Sequence, residues 1–96
     1  MSTIENLLMI SSRRLKKDLS ETENKKLKEE YGKAFSKRLK EIRLQKGLTQ
    51  EGLSELASLH LTYVGHLELG RYHPSLFTVW KLAKALGVSM SKLTDL

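Results

Sequence analysis

The 96 residues carry 17 Lys and Arg against 11 Asp and Glu, a net charge of +6, and a basic surplus of this size favours a polyanionic partner, nucleic acid or an acidic surface. Cysteine is absent, which excludes a disulfide framework and a thiolate metal site and fits a reducing compartment. No apolar run approaches the roughly 20 residues of a membrane span. The start MSTIENLLMISSRRLKK places apolar residues before basic ones and lacks a small-residue cleavage site, so no secretory signal is read there and cytoplasmic residence is expected.

Composition shifts near residue 35. Residues 1–34 are rich in Lys, Glu and Ser and are read as an N-terminal helical arm; residues 35–96 are read as the main domain. In the arm, Ile4, Leu8, Leu15 and Leu19 form a first helical stripe. Ser20-Glu-Thr-Glu23 fits a capping box. A second stripe, Leu27, Tyr31, Ala34, Phe35, Leu39 and Ile42, predicts a helix from about Glu21 to Lys46, with Gly32 a candidate break. Gly47 stands where a helix ends in a left-handed residue. Thr49 caps the next helix, Gln50–Ala57, whose inward face is Leu53, Leu56 and Ala57. A short Ser-Leu-His link leads into a helix over Leu61–Leu69, with Val64 and Leu67 inward and Gly70 as its stop. Ser75 caps a helix with Leu76, Val79, Leu82, Ala83 and Leu86 on its core face, which ends at Gly87. Ser89 caps a last turn bearing Met90, Leu93 and Leu96. No stretch alternates as a strand does, so the chain is read as all-α.

Two short helices joined by a three- to four-residue link have the layout of a helix-turn-helix, whose second helix lies in the DNA major groove. The runs RLKEIRLQKGLTQEGLSELA, TYVGHLELGRYHPSL and KLAKALGVS make the pattern specific. Over residues 36–95 the sequence resembles the Cro/repressor-like, or Xre, family, near its restriction–modification controller subgroup. The resemblance implies a five-helix lambda-repressor-like helix-turn-helix domain, here with an extra N-terminal helical arm. It also implies a sequence-specific transcriptional regulator, usually a homodimer on an inverted-repeat operator in double-stranded DNA.

Site residues follow from the same resemblance. Gln50 lies against the DNA backbone at a helix start, where free amides and the dipole favour an anion. Arg43 and Glu68 match a partly buried structural ion pair. Thr62, Gly65 and His66 face base edges, while Arg71 and His73 fall in a loop that contacts phosphates. For Tyr63, a hydroxyl contact to phosphate and packing on the preceding helix both stand open. Leu61 departs from the subgroup's basic residue and can only pack on a thymine methyl, which points to modest, A·T-leaning specificity. Gly52 and Ser54 also depart from the usual Glu and Ala.

Phe77 and Trp80 fall off or at the edge of their helix's core stripe. With Met90, Leu93 and Leu96 they are candidates for a homodimer seam, and the stripe Ile4, Leu8, Leu15 is the alternative cover. His60, His66 and His73 are spaced by six and seven, which does not bring a pair together on one helical face as i,i+4 would, so no metal or other cofactor is expected. No phosphate loop, nucleophile elbow or paired carboxylate suggests an enzyme. The second functional reading is a protein-interaction module on the same fold, an antitoxin or coactivator-like adaptor that binds a partner through the arm. It is motivated by the arm and by Leu61, Leu69 and Phe77.

Overall fold

The computed structural model describes residues 20–96, so the stripe Ile4, Leu8, Leu15 and Leu19 lies outside the described residues. Five helices follow in order: α1 Glu21–Gln45, α2 Gln50–Leu56, α3 Tyr63–Glu68, α4 Leu76–Leu86 and α5 Met90–Thr94. There is no strand among the described residues. None of these helices is long and apolar enough to cross a membrane.

Local chemistry sets most boundaries. Side-chain oxygens of Ser20, Thr49, Ser75 and Ser89 each accept the amide three residues on, satisfying a donor that the helix start leaves free. At the first cap the Ser20 hydroxyl also donates to the Glu23 carboxylate at 3.3 Å. Gly47 and Gly87 sit at φ +69° and +70°, the left-handed region where a Cβ is penalised. The start of α3 differs from expectation. Leu61 and Thr62 form a turn ahead of the helix, which begins only at Tyr63, so residues 57–62 are the link.

α1 runs unbroken through Gly32, and the expected boundary at 34/35 falls inside it. The absent side chain at Gly32 serves packing instead. A Cβ there would lie 3.2 Å from the His73 ring, so glycine lets the loop after α3 rest on α1.

The core begins at Phe35 and gathers Leu39 and Ile42 of α1, Leu53 of α2, Val64 and Leu67 of α3, the inner face of α4, and Leu93. Two residues expected in it are outside: Leu56 is 61% exposed and Leu76 is 76% exposed. Each lies at the end of its helix and at the edge of its stripe, where apolar spacing alone does not fix the inward side. On α2 the inward place belongs to Ser54, which is fully buried. Polar clasps complete the packing. The Ser36 hydroxyl donates to the Leu67 carbonyl at 2.6 Å, and Arg38 Nε donates to the Lys92 carbonyl at 2.9 Å, tying α1 to α3 and to α5.

Candidate nucleic-acid interface

α3 is held by one face and left open on the other. Val64 and Leu67 insert into the core, and Ser54 clamps the start of the helix. Ser54 Oγ accepts the Val64 amide at 3.1 Å and donates to the Gln50 carbonyl at 3.0 Å, so a small buried hydroxyl joins α2 to α3. The other end is held by Arg43 and Glu68. Arg43 Nε and Nη2 donate to the two carboxylate oxygens at 2.7 and 2.9 Å, and Nη1 donates to the Leu48 carbonyl at 2.7 Å. With side chains only 7% and 3% exposed, this is a bidentate ion pair with little access to water. The hydrogen bond to Glu68 raises the Arg43 pKa; desolvation opposes that shift and the charge of Glu68 adds to it.

The pair also reaches the binding face. Glu68 Oε1 accepts a third bond, from Gln50 Nε2 at 3.1 Å. Gln50 Oε1 would lie 3.2 Å from a Cβ at position 65, so Gly65 leaves room for the glutamine to cross α3. Arg43, Glu68 and Gln50 thus form one chain from the interior to the surface.

Six of the eight residues expected to face DNA line a single open groove of about 250 Å³: Gln50, Leu61, Thr62, Gly65, His66 and Arg71. Tyr63 and His73 do not. Tyr63 turns sideways and stacks on Tyr72, with centroids 5.3 Å apart and planes inclined by 27°, and His73 lies against Gly32. Thr62 Oγ1 is 3.1 Å from His60 Nδ1, a contact within the turn. His66 is braced by Arg71, whose Nη1 is 2.9 Å from His66 Nδ1. Arginine can only donate, so Nδ1 accepts and the neutral ring carries its proton on Nε2. The ring is further flanked by Tyr72 at 5.3 Å. Tyr72 leaves no signal in the sequence, because a loop residue has no periodicity to mark it. Nor does the Gln50–Glu68 bond, since 18 residues separate its partners.

On α4, Phe77 and Trp80 stack in the open, centroids 5.9 Å apart and planes within 12°, with Lys81 and Lys84 ammonium groups over their rings at 5.4 and 4.9 Å. Exposed Leu76 extends this strip, and Met90 is partly buried against the core. Leu93 has 0% exposure and no surface to offer a seam; its expected place there is corrected, because it closes the core beneath α5. Among the described residues, no three His, Cys, Asp or Glu side chains gather as metal ligands.

Two short helices, the second anchored by its inner face and bordered by an open groove on its outer face, define a helix-turn-helix domain. The chain belongs to the helix-turn-helix family (HTH_3), whose model matches residues 39–93. The chain is 39% identical over 62 residues to the control protein C.BamHI of Bacillus amyloliquefaciens, covering 64% of this chain and 76% of that protein. It is 43% identical over 56 residues to the immunity repressor protein of Bacillus phage phi105, covering 58% of this chain and only 39% of the repressor's length. The solved structure of the restriction-modification controller protein C.AhdI from Aeromonas hydrophila superposes with a TM-score of 0.63 at 42% identity, over 65% of this chain and 94% of that one. The family is one of DNA-binding regulators and not of enzymes, in keeping with the Xre-type motifs of residues 36–95.

Proposed function

We propose that the chain is a sequence-specific DNA-binding transcriptional regulator that acts in the cytoplasm as a homodimer on an inverted-repeat operator. The observation that supports this most is the groove along α3, where Gln50 is pinned by a buried ion pair among the residues available for contact. In this reading α3 enters the major groove, and Gln50 and Arg71 meet backbone phosphates. His66 donates from Nε2 to a purine N7 or O6, the Thr62 hydroxyl reaches a base edge, and Leu61 packs on a thymine methyl. So few polar readers give a modest, A·T-leaning preference, with phosphate contacts supplying most of the affinity.

The exposed strip Leu76, Phe77 and Trp80 supports the homodimer, with the partly buried Met90 a further candidate for the seam. Aromatic rings left wet in a monomer are covered by the same strip of a second copy, in a two-fold contact that sets two half-sites about 34–36 Å apart. Selection of bound duplexes from a random library tests the reading as a whole. It should return a symmetric pair of half-sites, and Gln50→Ala should weaken every selected duplex alike. Binding that shows no enrichment over the starting library, or none at low salt, overturns it.

A further inference from the structure

A second groove, of about 300 Å³, runs on the other side of the α3 C-terminus, and Lys33, Lys37 and Lys40 of α1 line it with Glu68, Leu69 and Gly70. Leu69 borders both this groove and the one holding Gln50 and His66, so the two surfaces are continuous across one side chain. The lysines are spaced at i, i+4 and i+7, which places them in one row along α1. All three are exposed, and none has an ion pair within 4 Å among the described residues. The acidic neighbour, Glu68, does not neutralise them, because both of its oxygens are taken by Arg43 and one also by Gln50. The groove therefore presents three lysines, none in a close ion pair, beside the end of the recognition helix.

We propose that Lys33, Lys37 and Lys40 are a second phosphate track, which holds the DNA backbone next to the half-site read by α3. The occupant is duplex DNA, by charge complementarity and by continuity with the reading groove; the proposal rests on the DNA-binding reading given above. The row spans about 10 Å of helix at 1.5 Å per residue. Along one strand the phosphates lie roughly 7 Å apart, about twice the 3.4 Å axial rise, so the row reaches two to three of them. These contacts add affinity and carry no sequence information, since phosphates are alike at every base pair.

The experiment measures the salt dependence of binding to a duplex selected by the wild-type chain, for the full-length protein and two variants. In one, Lys33→Gln, Lys37→Gln and Lys40→Gln are combined; in the other, Lys25→Gln and Lys28→Gln remove charge from a different face of α1. Circular dichroism checks that both stay helical. The triple variant should flatten the plot of log K against log salt by about 2–3 units, at about 0.9 for each phosphate no longer neutralised, with the rank order of duplexes unchanged. The control should move the slope by less than about one unit. A triple variant with the wild-type slope, or a control that flattens it equally, overturns the track and leaves the DNA-binding reading intact. Failure of the wild-type chain to bind any duplex removes both.

Discussion

Removing either partner of the Arg43–Glu68 pair should destabilise the domain severely and unequally. The side chains are 7% and 3% exposed, so the loss is that of a buried pair, about 3–5 kcal/mol, and not that of a solvated one. In Glu68→Ala the guanidinium keeps its bond to the Leu48 carbonyl, which sets the loss near the lower end, about 3 kcal/mol. In Arg43→Met the carboxylate keeps only the Gln50 amide, and no lysine of the adjoining groove lies within 4 Å to pair with it, which sets the loss near the upper end, about 5 kcal/mol. A domain of this size holds about 5–10 kcal/mol in all. Glu68→Ala should therefore lower Tm by roughly 12–24 °C, at 4–8 °C per kcal/mol. The double variant Arg43→Met with Glu68→Leu removes both charges and should recover most of the loss. Urea unfolding followed by circular dichroism gives each value, with a shifted midpoint at constant m marking a change in stability. Because the Arg43 pKa is raised, the stability it contributes is fully present below the ordinary arginine value and is lost only above the raised one. The difference between wild type and Arg43→Met should thus stay flat from about pH 7 to pH 10. Losses below about 1 kcal/mol in both single variants would refute the reasoning, because that is how a surface pair behaves.

Other substitutions separate binding from folding. Gly65→Ala gains about 1 kcal/mol of helix propensity but sets a methyl 3.2 Å from Gln50 Oε1; fluorescence anisotropy should show several-fold weaker DNA binding with no fall in Tm. Trp80→Lys combined with Phe77→Lys should yield a folded monomer in sedimentation velocity, and an unchanged dimer would exclude the α4 strip as the seam. Arg71→Ala leaves His66 without its brace, so duplex selection should lose the preference at the His66 position, worth about 1–3 kcal/mol per base pair. A variant that kept the wild-type preference there would show that the brace does not set it.

The parts of this fold legible in the sequence are those decided within a few residues. Ser, Thr and Gly mark helix starts and stops because caps and left-handed turns depend on the residue itself, as at Thr49, Ser75, Gly47 and Gly87. Long stripes are legible too, since Phe35, Leu39 and Ile42 repeat often enough to fix a face. Short helices are not. Over the seven residues of α2, Leu56 and Ser54 flank the same core residues on opposite sides, and hydrophobicity alone favours the leucine. The structure buries Ser54 because its hydroxyl answers the Val64 amide, a demand that arises only when α3 is docked. Leu93 is misplaced for a related reason: an apolar residue near the chain end suits a core or a seam equally well, and only packing chooses. Within the site, the residues that meet in one groove are legible through the family motif. Their braces, Gln50 to Glu68 and His66 to Arg71, are not, because they are fixed by tertiary approach and not by spacing.

Those braces bear on how α3, with so few polar side chains, could select a sequence in the way proposed above. The three candidate polar readers each have a partner in the unbound protein: Gln50 has Glu68, His66 has Arg71, and Thr62 has His60. A long side chain free in water loses about 0.5–1.5 kcal/mol of rotamer entropy when a ligand immobilises it. Here folding has already met much of that loss, using the buried pair Arg43–Glu68 and the stack of Tyr63 on Tyr72 as supports. A braced histidine that offers one donor in one direction also rejects a base lacking an acceptor there, whereas a mobile one finds a second pose. On the proposed reading, specificity would depend less on the number of reading groups than on how firmly each is held, and the supporting residues Glu68 and Tyr72 would share in setting it.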